Sequence, residues 1–195
     1  MKNSIFIVKT FNYYLILFVI FKYILKYHIN MKNLESFIFE SSSQIIDEMK
    51  NALKEELNAW YGYVIVKEWL TGTGRKDIEK FYEDTAKDEL EDHAYWLMKR
   101  INQLGGTIED ITMSPNSWDT AKHKYIAPIW NKGNIDIKKS IEDNIKNEEG
   151  AIETYENLVK LTEGVDPSSN SKLKEILADE QEHLQELKDF LQDSK

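Results

Sequence analysis

Cysteine is absent from the 195-residue chain, which excludes disulfides, thiolate-bound zinc, iron–sulfur clusters and cysteine nucleophiles. Any metal chemistry must therefore run on carboxylate and imidazole. Proline occurs only three times and glycine eight times, so long stretches carry no helix breaker. Positive charge is also in deficit, with 25 Lys and Arg against 34 Asp and Glu and a net −9. That balance argues against nucleic-acid binding by bulk charge and favours cations as ligands. The deficit is uneven. Residues 1–30 hold Lys2, Lys9, Lys22 and Lys26 and no acid, and removing these four lysines leaves residues 31–195 with 21 basic and 34 acidic residues, net −13.

Long hydrophobic runs are missing as well. The unbroken apolar stretch near the start, Tyr13 to Phe21, falls well short of the roughly 20 residues that span a bilayer comfortably. A secretory leader would also open on basic residues and a short apolar region. No small-residue cleavage site follows here; the next residues are Lys26-Tyr27-His28-Ile29-Asn30. Met31-Lys32-Asn33 then repeats Met1-Lys2-Asn3. The expected domain is therefore 31–195, with 1–30 an apolar, basic extension read first as an upstream mis-start. An anchor and an export signal are the other readings of this segment. The expected setting is cytoplasmic, and a membrane enters only if residues 1–30 are retained.

Helical periodicity is what the sequence has in quantity. Ser41 with Gln44 three residues on makes a capping box. Met49, Leu53, Glu56, Trp60, Tyr63 and Lys67 then step by fours and threes along one face until Gly72 and Gly74. A second helix is expected from about Lys76 to Gly105-Gly106, with Tyr82, Ala86, Glu89, His93, Leu97, Arg100 or Ile101, and Leu104 inward. A long stretch with Pro115, Pro128 and Gly133 follows. The third helix starts near Asp136, shows Ile141, Ile145, Glu148, Ile152, Tyr155, Val159 and Thr162 on its seam, and ends at Gly164 and Asp166-Pro167. The fourth, from about Ser171, carries Leu173, Ile176, Glu180, His183, Leu187 and Phe190 on one face. Short links within each pair and a long link between the pairs predict an all-α, antiparallel four-helix bundle with one long crossover connection. Strands are not expected, since the β-branched run Val64-Ile65-Val66 lies inside a helical pattern.

Glu56, Glu89, Glu148 and Glu180 fall on these inward seams. Burying an unpaired carboxylate costs several kcal/mol or more, and the seams offer little positive charge at those levels. They do offer His93 and His183. Four carboxylates are neutralised by two divalent cations, and neutral imidazoles complete the coordination without adding charge. The two halves of the chain repeat this pattern. Glu56 and Glu148 lie 92 residues apart, as do Tyr63 and Tyr155; Asp88 and Asp179 lie 91 apart, as do Glu89 and Glu180; His93 and His183 lie 90 apart. That regularity implies two helical hairpins about a pseudo-twofold axis, each donating half of one dinuclear site. His123, beside Lys122 and Lys124, reads as surface, and Trp130 near Pro128 as a packing or subunit contact.

The stretches Glu55-Glu56-Leu57-Asn58-Ala59-Trp60-Tyr61-Gly62-Tyr63, Asp88-Glu89-Leu90-Glu91-Asp92-His93-Ala94, Glu148-Glu149-Gly150-Ala151-Ile152-Glu153-Thr154-Tyr155 and Asp179-Glu180-Gln181-Glu182-His183, with Leu104-Gly105-Gly106, resemble the ferritin-like superfamily of dinuclear carboxylate proteins. Within it the chain is most similar to non-haem bacterioferritins and their Dps-like relatives, over most of residues 40–192. The resemblance implies Glu56 and Glu148 as ligands of one metal each, Glu89 and Glu180 as bridges, and His93 and His183 as one imidazole per metal. It further implies Asp88 and Asp179 as acceptors that orient the imidazoles, and Tyr63 and Tyr155 as donors to carboxylate ligands, with Trp60 one turn away. Three departures stand out. The second helix has Glu89-x-x-x-His93 in place of Glu-x-x-His, an extra residue that a local π-bulge absorbs. Leu90 replaces the haem-binding Met of haem bacterioferritins, so no haem is expected. The Cys pair of some Dps-like relatives is missing.

The expected function is a ferroxidase that binds two iron ions per subunit, oxidises Fe(II) with dioxygen or hydrogen peroxide, and stores iron in a homo-oligomeric cage of 12 or 24 chains. The alternative is a rubrerythrin-like diiron peroxidase that stores no mineral, although Ala151 stands where that family has a further Glu. A Dps-like DNA-coating protein is disfavoured by the net −13, so no nucleic-acid partner is expected.

Overall fold

The computed structural model describes residues 22, 25, 26, 42–109, 111 and 135–193. It divides into two units, Met1–Ser42 and Ser43–Lys195. In the first, Lys22, Leu25 and Lys26 are helical. The readings made for the rest of residues 1–30, for Ser41, and for His123, Pro128 and Trp130 lie outside the described residues. Among the described residues, no helix is long and apolar enough to cross a membrane.

Residues 42–69 form α1. The two-residue strand β1 (Leu70–Thr71) follows, then α2 (Arg75–Lys87), a π-helical segment (Asp88–Ala94) and α3 (Tyr95–Gln103), which together make one rod. The chain resumes with β2 (Ile135–Asp136), α4 (Ile137–Thr162) and α5 (Pro167–Asp193). The local reasons are in the sequence. Asp136 caps α4 by accepting from the Lys139 N–H at 2.9 Å, and Asp166 caps α5 by accepting from the Ser169 N–H at 3.1 Å. Pro167 sits at the first position of α5, where its fixed φ and missing N–H suit a helix start, so α5 begins four residues before the expected Ser171. At the end of α3, Gly105 takes φ +86°. Its N–H reaches the Asn102 carbonyl at 3.0 Å and the Gly106 N–H reaches the Ile101 carbonyl at 2.9 Å, a Schellman stop. A Cβ on Gly106 would lie 2.7 Å from Ile46 Cγ2, so glycine is required there for close approach to α1.

The topology follows from one small feature absent from the sequence reading. β1 and β2 pair in parallel, Leu70 with Ile135 and Thr71 with Asp136. The start of α4 therefore lies beside the end of α1, whereas α3 ends at the other end of the bundle, where Arg100 reaches Asp166 at 2.7 Å. The link between α3 and β2 joins opposite ends of the bundle, which is the crossover of an all-α four-helix fold. α1 runs antiparallel to the α2–α3 rod, and α4 antiparallel to α5.

Two apolar clusters fill the interior. One contains Met49, Leu53, Leu97, Ile101, Leu158, Leu173 and Ile176; the other contains Val66, Leu70, Ile78, Phe81, Tyr82, Ile141 and Leu187. Between these levels lie the buried acids and histidines. Lys67 differs from expectation, and the alternative between Arg100 and Ile101 resolves to Ile101. Val66 is the buried residue at the end of α1, while Lys67 is half-buried and extends its ammonium to within 3.8 Å of Glu68 and of Glu83. In α3, Ile101 faces inward and Arg100 lies at the edge, free to reach Asp166 and Ser169.

A buried carboxylate and imidazole cluster as candidate metal centre

α1 supplies Glu56, the π segment Glu89 and His93, α4 Glu148, and α5 Glu180 and His183. All four carboxylates are buried, with exposures of 1–3%, and His93 is fully enclosed. Ligand atoms of Glu56, Glu89, His93 and Glu180 all lie within 4.8 Å of one another, and so do those of Glu89, Glu148, Glu180 and His183. Glu89 and Glu180 belong to both groups. His93 Nδ1 lies 3.1 Å from Glu89 Oε2, 3.3 Å from Glu180 Oε1 and 3.4 Å from Glu56 Oε2. His183 Nδ1 lies 3.6 Å from Glu89 Oε1 and 3.8 Å from Glu180 Oε2. Glu89 Oε1, both Glu180 oxygens and His183 Nδ1 have no hydrogen-bond partner. Buried polar atoms are nearly always satisfied, so orphaned oxygen and nitrogen donors converging on one space fit divalent cations with mixed O/N coordination.

The irregular spacing in the second helix is accommodated by its backbone. Residues Asp88–Ala94 are π-helical, and the Tyr95 N–H bonds five residues back to the Leu90 carbonyl. In an α-helix four residues overshoot a full turn and three fall short. The wider π turn makes four residues fall short too. His93 therefore lies on the same side of Glu89 as His183 does of Glu180, and the two half-sites keep the same sense despite unequal spacing.

The repeats interlock. Tyr63 donates its hydroxyl to Glu148 Oε1, and Tyr155 donates to Glu56 Oε1. Each tyrosine thus serves the carboxylate of the other half. The aspartates cross as well: His93 Nε2 faces Asp179 Oδ2 at 3.4 Å, and His183 Nε2 faces Asp88 Oδ2 at 3.9 Å. Trp60 is partly buried against the cluster that holds Tyr63.

Electrostatics distribute protons unevenly through this space. Burial, followed by the charges of Glu180 and Glu56, holds Glu89 well above the usual carboxylate range. Burial and the Glu180 charge do the same to Glu148. Burial works against Glu180 too, but the neighbouring imidazoles of His183 and His93 outweigh it and hold this carboxyl low. Burial would lower both imidazoles; Glu56 leads the acids that push His93 up instead, and Glu180 raises His183. Tyr63 and Tyr155 are raised by burial first and then by their carboxylate partners. Without metal, Glu89, Glu148 and both imidazoles are therefore all shifted toward their protonated forms.

Sequence reasoning missed a polar girder behind Tyr63. The Tyr82 ring lies 5.0 Å from that of Tyr63. Its hydroxyl accepts from Asn144 Nδ2 at 3.0 Å and shares a 2.8 Å hydrogen bond with Ser140, and burial pushes it up to about 12. Ser140 and Asn144, four apart on the apolar seam of α4, are the signal that could have revealed it.

A family model described as "Ferritin: Ferritin-like domain" matches residues 46–195. No curated protein matches the chain. Among solved structures, a dodecameric thioferritin, the bacterioferritin-related protein of Bacteroides fragilis, is 31% identical with a TM-score of 0.68, covering 78% of this chain and 86% of its own. A ferritin-like diiron-carboxylate protein from Bacillus anthracis str. Ames is 24% identical, TM-score 0.63, covering 77% and 97%. Dps from Thermosynechococcus elongatus is 16% identical, TM-score 0.66, covering 79% and 94%. The last two likenesses establish the fold alone.

Proposed function

The chain belongs to the ferritin-like family, and from that premise we propose that it is a ferroxidase that oxidises Fe(II) at a dinuclear carboxylate site. The observation that carries this reading is the pair of overlapping donor groups that share Glu89 and Glu180. Two adjacent cations with common carboxylate neighbours suit Glu89 and Glu180 as bridges. Glu56 and His93 complete one position, and Glu148 and His183 complete the other. Four carboxylates balance two divalent ions, and the buried setting makes that balance a requirement.

Iron is the substrate here, and each ion gives up one electron. Two therefore match the two-electron reduction of hydrogen peroxide to water, and four match dioxygen. The protein's part is binding and proton management. Fe(II) displaces the protons held on Glu89, Glu148 and the imidazoles. Asp179, opposite His93 Nε2, keeps that nitrogen as the donor and leaves Nδ1 for the metal. Tyr63 and Tyr155 fix the orientation of Glu148 and Glu56. No haem takes part in this reading; Leu90 packs against the cluster around Met49 and Leu97.

The proposed assembly is a homo-oligomeric hollow shell that retains the ferric product in the cytoplasm. The dodecameric Bacteroides fragilis relative supports twelve chains, with twenty-four as the other size, and the acidic balance of residues 31–195 supports cation concentration inside. Anaerobic loading with Fe(II), followed by oxidant, tests the reading through ferric absorbance and particle size. Glu180→Ala is expected to abolish the fast phase, and wild-type rates in that variant refute the site. A large particle that retains many irons per chain supports storage. Peroxide turnover by a small oligomer that retains no iron favours the peroxidase alternative.

A further inference from the structure

The polar trio behind Tyr63 ties together two helices that are not neighbours. α1 meets the rod at Gly106 and meets α4 through the Tyr63 and Tyr155 hydroxyls. α5 meets the rod through Asp88 and Asp179, and packs along α4. The rod and α4 therefore stand across the bundle diagonal from each other. Tyr82, fully buried on α2, spans that diagonal and bonds to Ser140 at 2.8 Å and Asn144 at 3.0 Å on α4.

The tie sits beside two carboxylates of one donor group. Tyr82 precedes Glu89 by seven residues on the rod, and Asn144 precedes Glu148 by four on α4. Glu89 and Glu148 group together with Glu180 and His183. The brace thus lies on the same side of both and sets their separation across the diagonal. Tyr63 adds a second hold: its ring packs against that of Tyr82 at 5.0 Å while its hydroxyl serves Glu148. Packing alone does not call for these polar groups. The repeat offsets of 91 and 92 residues put Leu173 in the place of Tyr82 and Ala52 in the place of Asn144. Both are fully buried in an apolar cluster. Hydrogen bonds are directional, so a buried polar tie fixes a helix separation that apolar contacts leave adjustable.

We propose that Tyr82 is a positioning residue: through Ser140 and Asn144 it fixes the separation of Glu89 and Glu148, and with it the size of cation they accept. This rests on the dinuclear reading above and adds to it a residue that touches no metal. Donors stand about 2.0–2.2 Å from an ion such as Zn(II) and about 2.3–2.6 Å from one such as Ca(II). A fixed separation suits the smaller class, to which Fe(II) and Co(II) belong. Loosening the brace lets the pair widen, which weakens the discrimination and misplaces the ions for oxidation.

Anaerobic competition between Co(II) and the larger Cd(II) on the full-length oligomer, followed by Co(II) d–d absorbance and calorimetry, tests this without turnover. Tyr82→Phe should still bind two Co(II) per chain, with its preference for Co(II) over Cd(II) reduced about tenfold and its d–d bands shifted. Its Fe(II) oxidation should slow by a similar factor, and its Tm should fall. A triple variant, Tyr82→Phe with Ser140→Ala and Asn144→Leu, removes the polar groups together and leaves none of them orphaned. Its Tm should return toward that of the wild type, while the cation preference and the oxidation rate stay low. The triple variant carries the comparison alone should Tyr82→Phe fail to fold. Wild-type preference in Tyr82→Phe, or recovery of the preference together with Tm in the triple variant, would make the trio a packing feature and overturn the inference alone. A wild-type chain that binds no Co(II) overturns the dinuclear reading and the inference with it.

Discussion

A buried carboxylate is neutralised by a proton or by a cation, and the two choices leave different traces in solution. Glu89 and Glu148 titrate above their unfolded values, and His93 and His183 are likewise raised. The metal-free fold therefore holds more protons at these groups than the unfolded chain does. Their contribution to stability is complete below the unfolded values, about 4.3 for Glu and 6.5 for His, and is lost as pH rises through the folded values. Glu180 has the opposite sign: its contribution is present above its unfolded value and lost as pH falls through its depressed one. Metal affinity should accordingly rise with pH, and calorimetry in buffers of different ionisation enthalpy should detect protons released per cation. Release of none would contradict the charge balance proposed here. Tyr63 offers a second test. Tyr63→Phe removes the hydroxyl that serves Glu148 and should cost the metal-free protein about 1.5–3 kcal/mol in denaturant unfolding. The loss should shrink once a cation holds Glu148, and an equal loss in both states would mean that Glu148 makes no such contact with the metal.

Among the elements, the π segment is the most informative, because its extra residue can be taken away. A π turn is a one-residue insertion in an α-helix. Deleting the exposed Glu91 should convert Asp88–Ala94 to α-helix and create Glu-x-x-His, with α3 kept in register. The expected outcome is a Tm at or above that of the wild type and undiminished Co(II) stoichiometry; an unfolded deletion variant would show that the seven residues are not a local insertion. Such a turn was legible as an irregular Glu-to-His spacing, and the helices, the inward acids and the repeat were legible from periodicity and offset. The crossing of Tyr63 to Glu148 and of Asp179 to His93 was not, because an offset of 92 or 91 residues fixes equivalence and says nothing of which half faces which. The β1–β2 bridge was hidden for a related reason: a two-residue contact has no period. Another inter-element device is the end clamp, where Arg100 reaches Asp166 at 2.7 Å and Ser169 at 2.7 Å. Burial opposes the Asp166 charge, but the hydrogen bonds from Arg100 and Ser169 outweigh it and lower its carboxyl. Its stabilisation is present above the unfolded value, about 3.9, and lost as pH falls through the folded one. Asp166→Ala removes the α5 cap as well and should cost about 1–2 kcal/mol near neutral pH, with a smaller difference from wild type at acid pH in urea titrations.

At the scale of the whole molecule, the polar layer divides the apolar interior into two clusters, so the bundle is held across its middle by whatever neutralises that layer. Ligands that bind only the folded state stabilise it by about 2.7 kcal/mol per site at a hundredfold excess over Kd. In a domain of this size that corresponds to roughly 5–10 °C in Tm. Glu148→Gln separates the fold's need from the function's need. Glu148 is already pushed toward its neutral form, so the amide, of the same shape and uncharged, removes the repulsion with Glu180 and still accepts the Tyr63 hydroxyl. The metal-free variant should therefore be as stable as the wild type or up to about 1 kcal/mol more stable. With the position shared by Glu148 and His183 left short of a charge, Co(II) should raise its Tm by no more than half the wild-type increment. Differential scanning with and without Co(II) reads both quantities in one experiment. A Glu148→Gln protein that is much less stable without metal would mean that this layer is built for packing; one that gains the full increment with metal would remove Glu148 from the proposed ligand set.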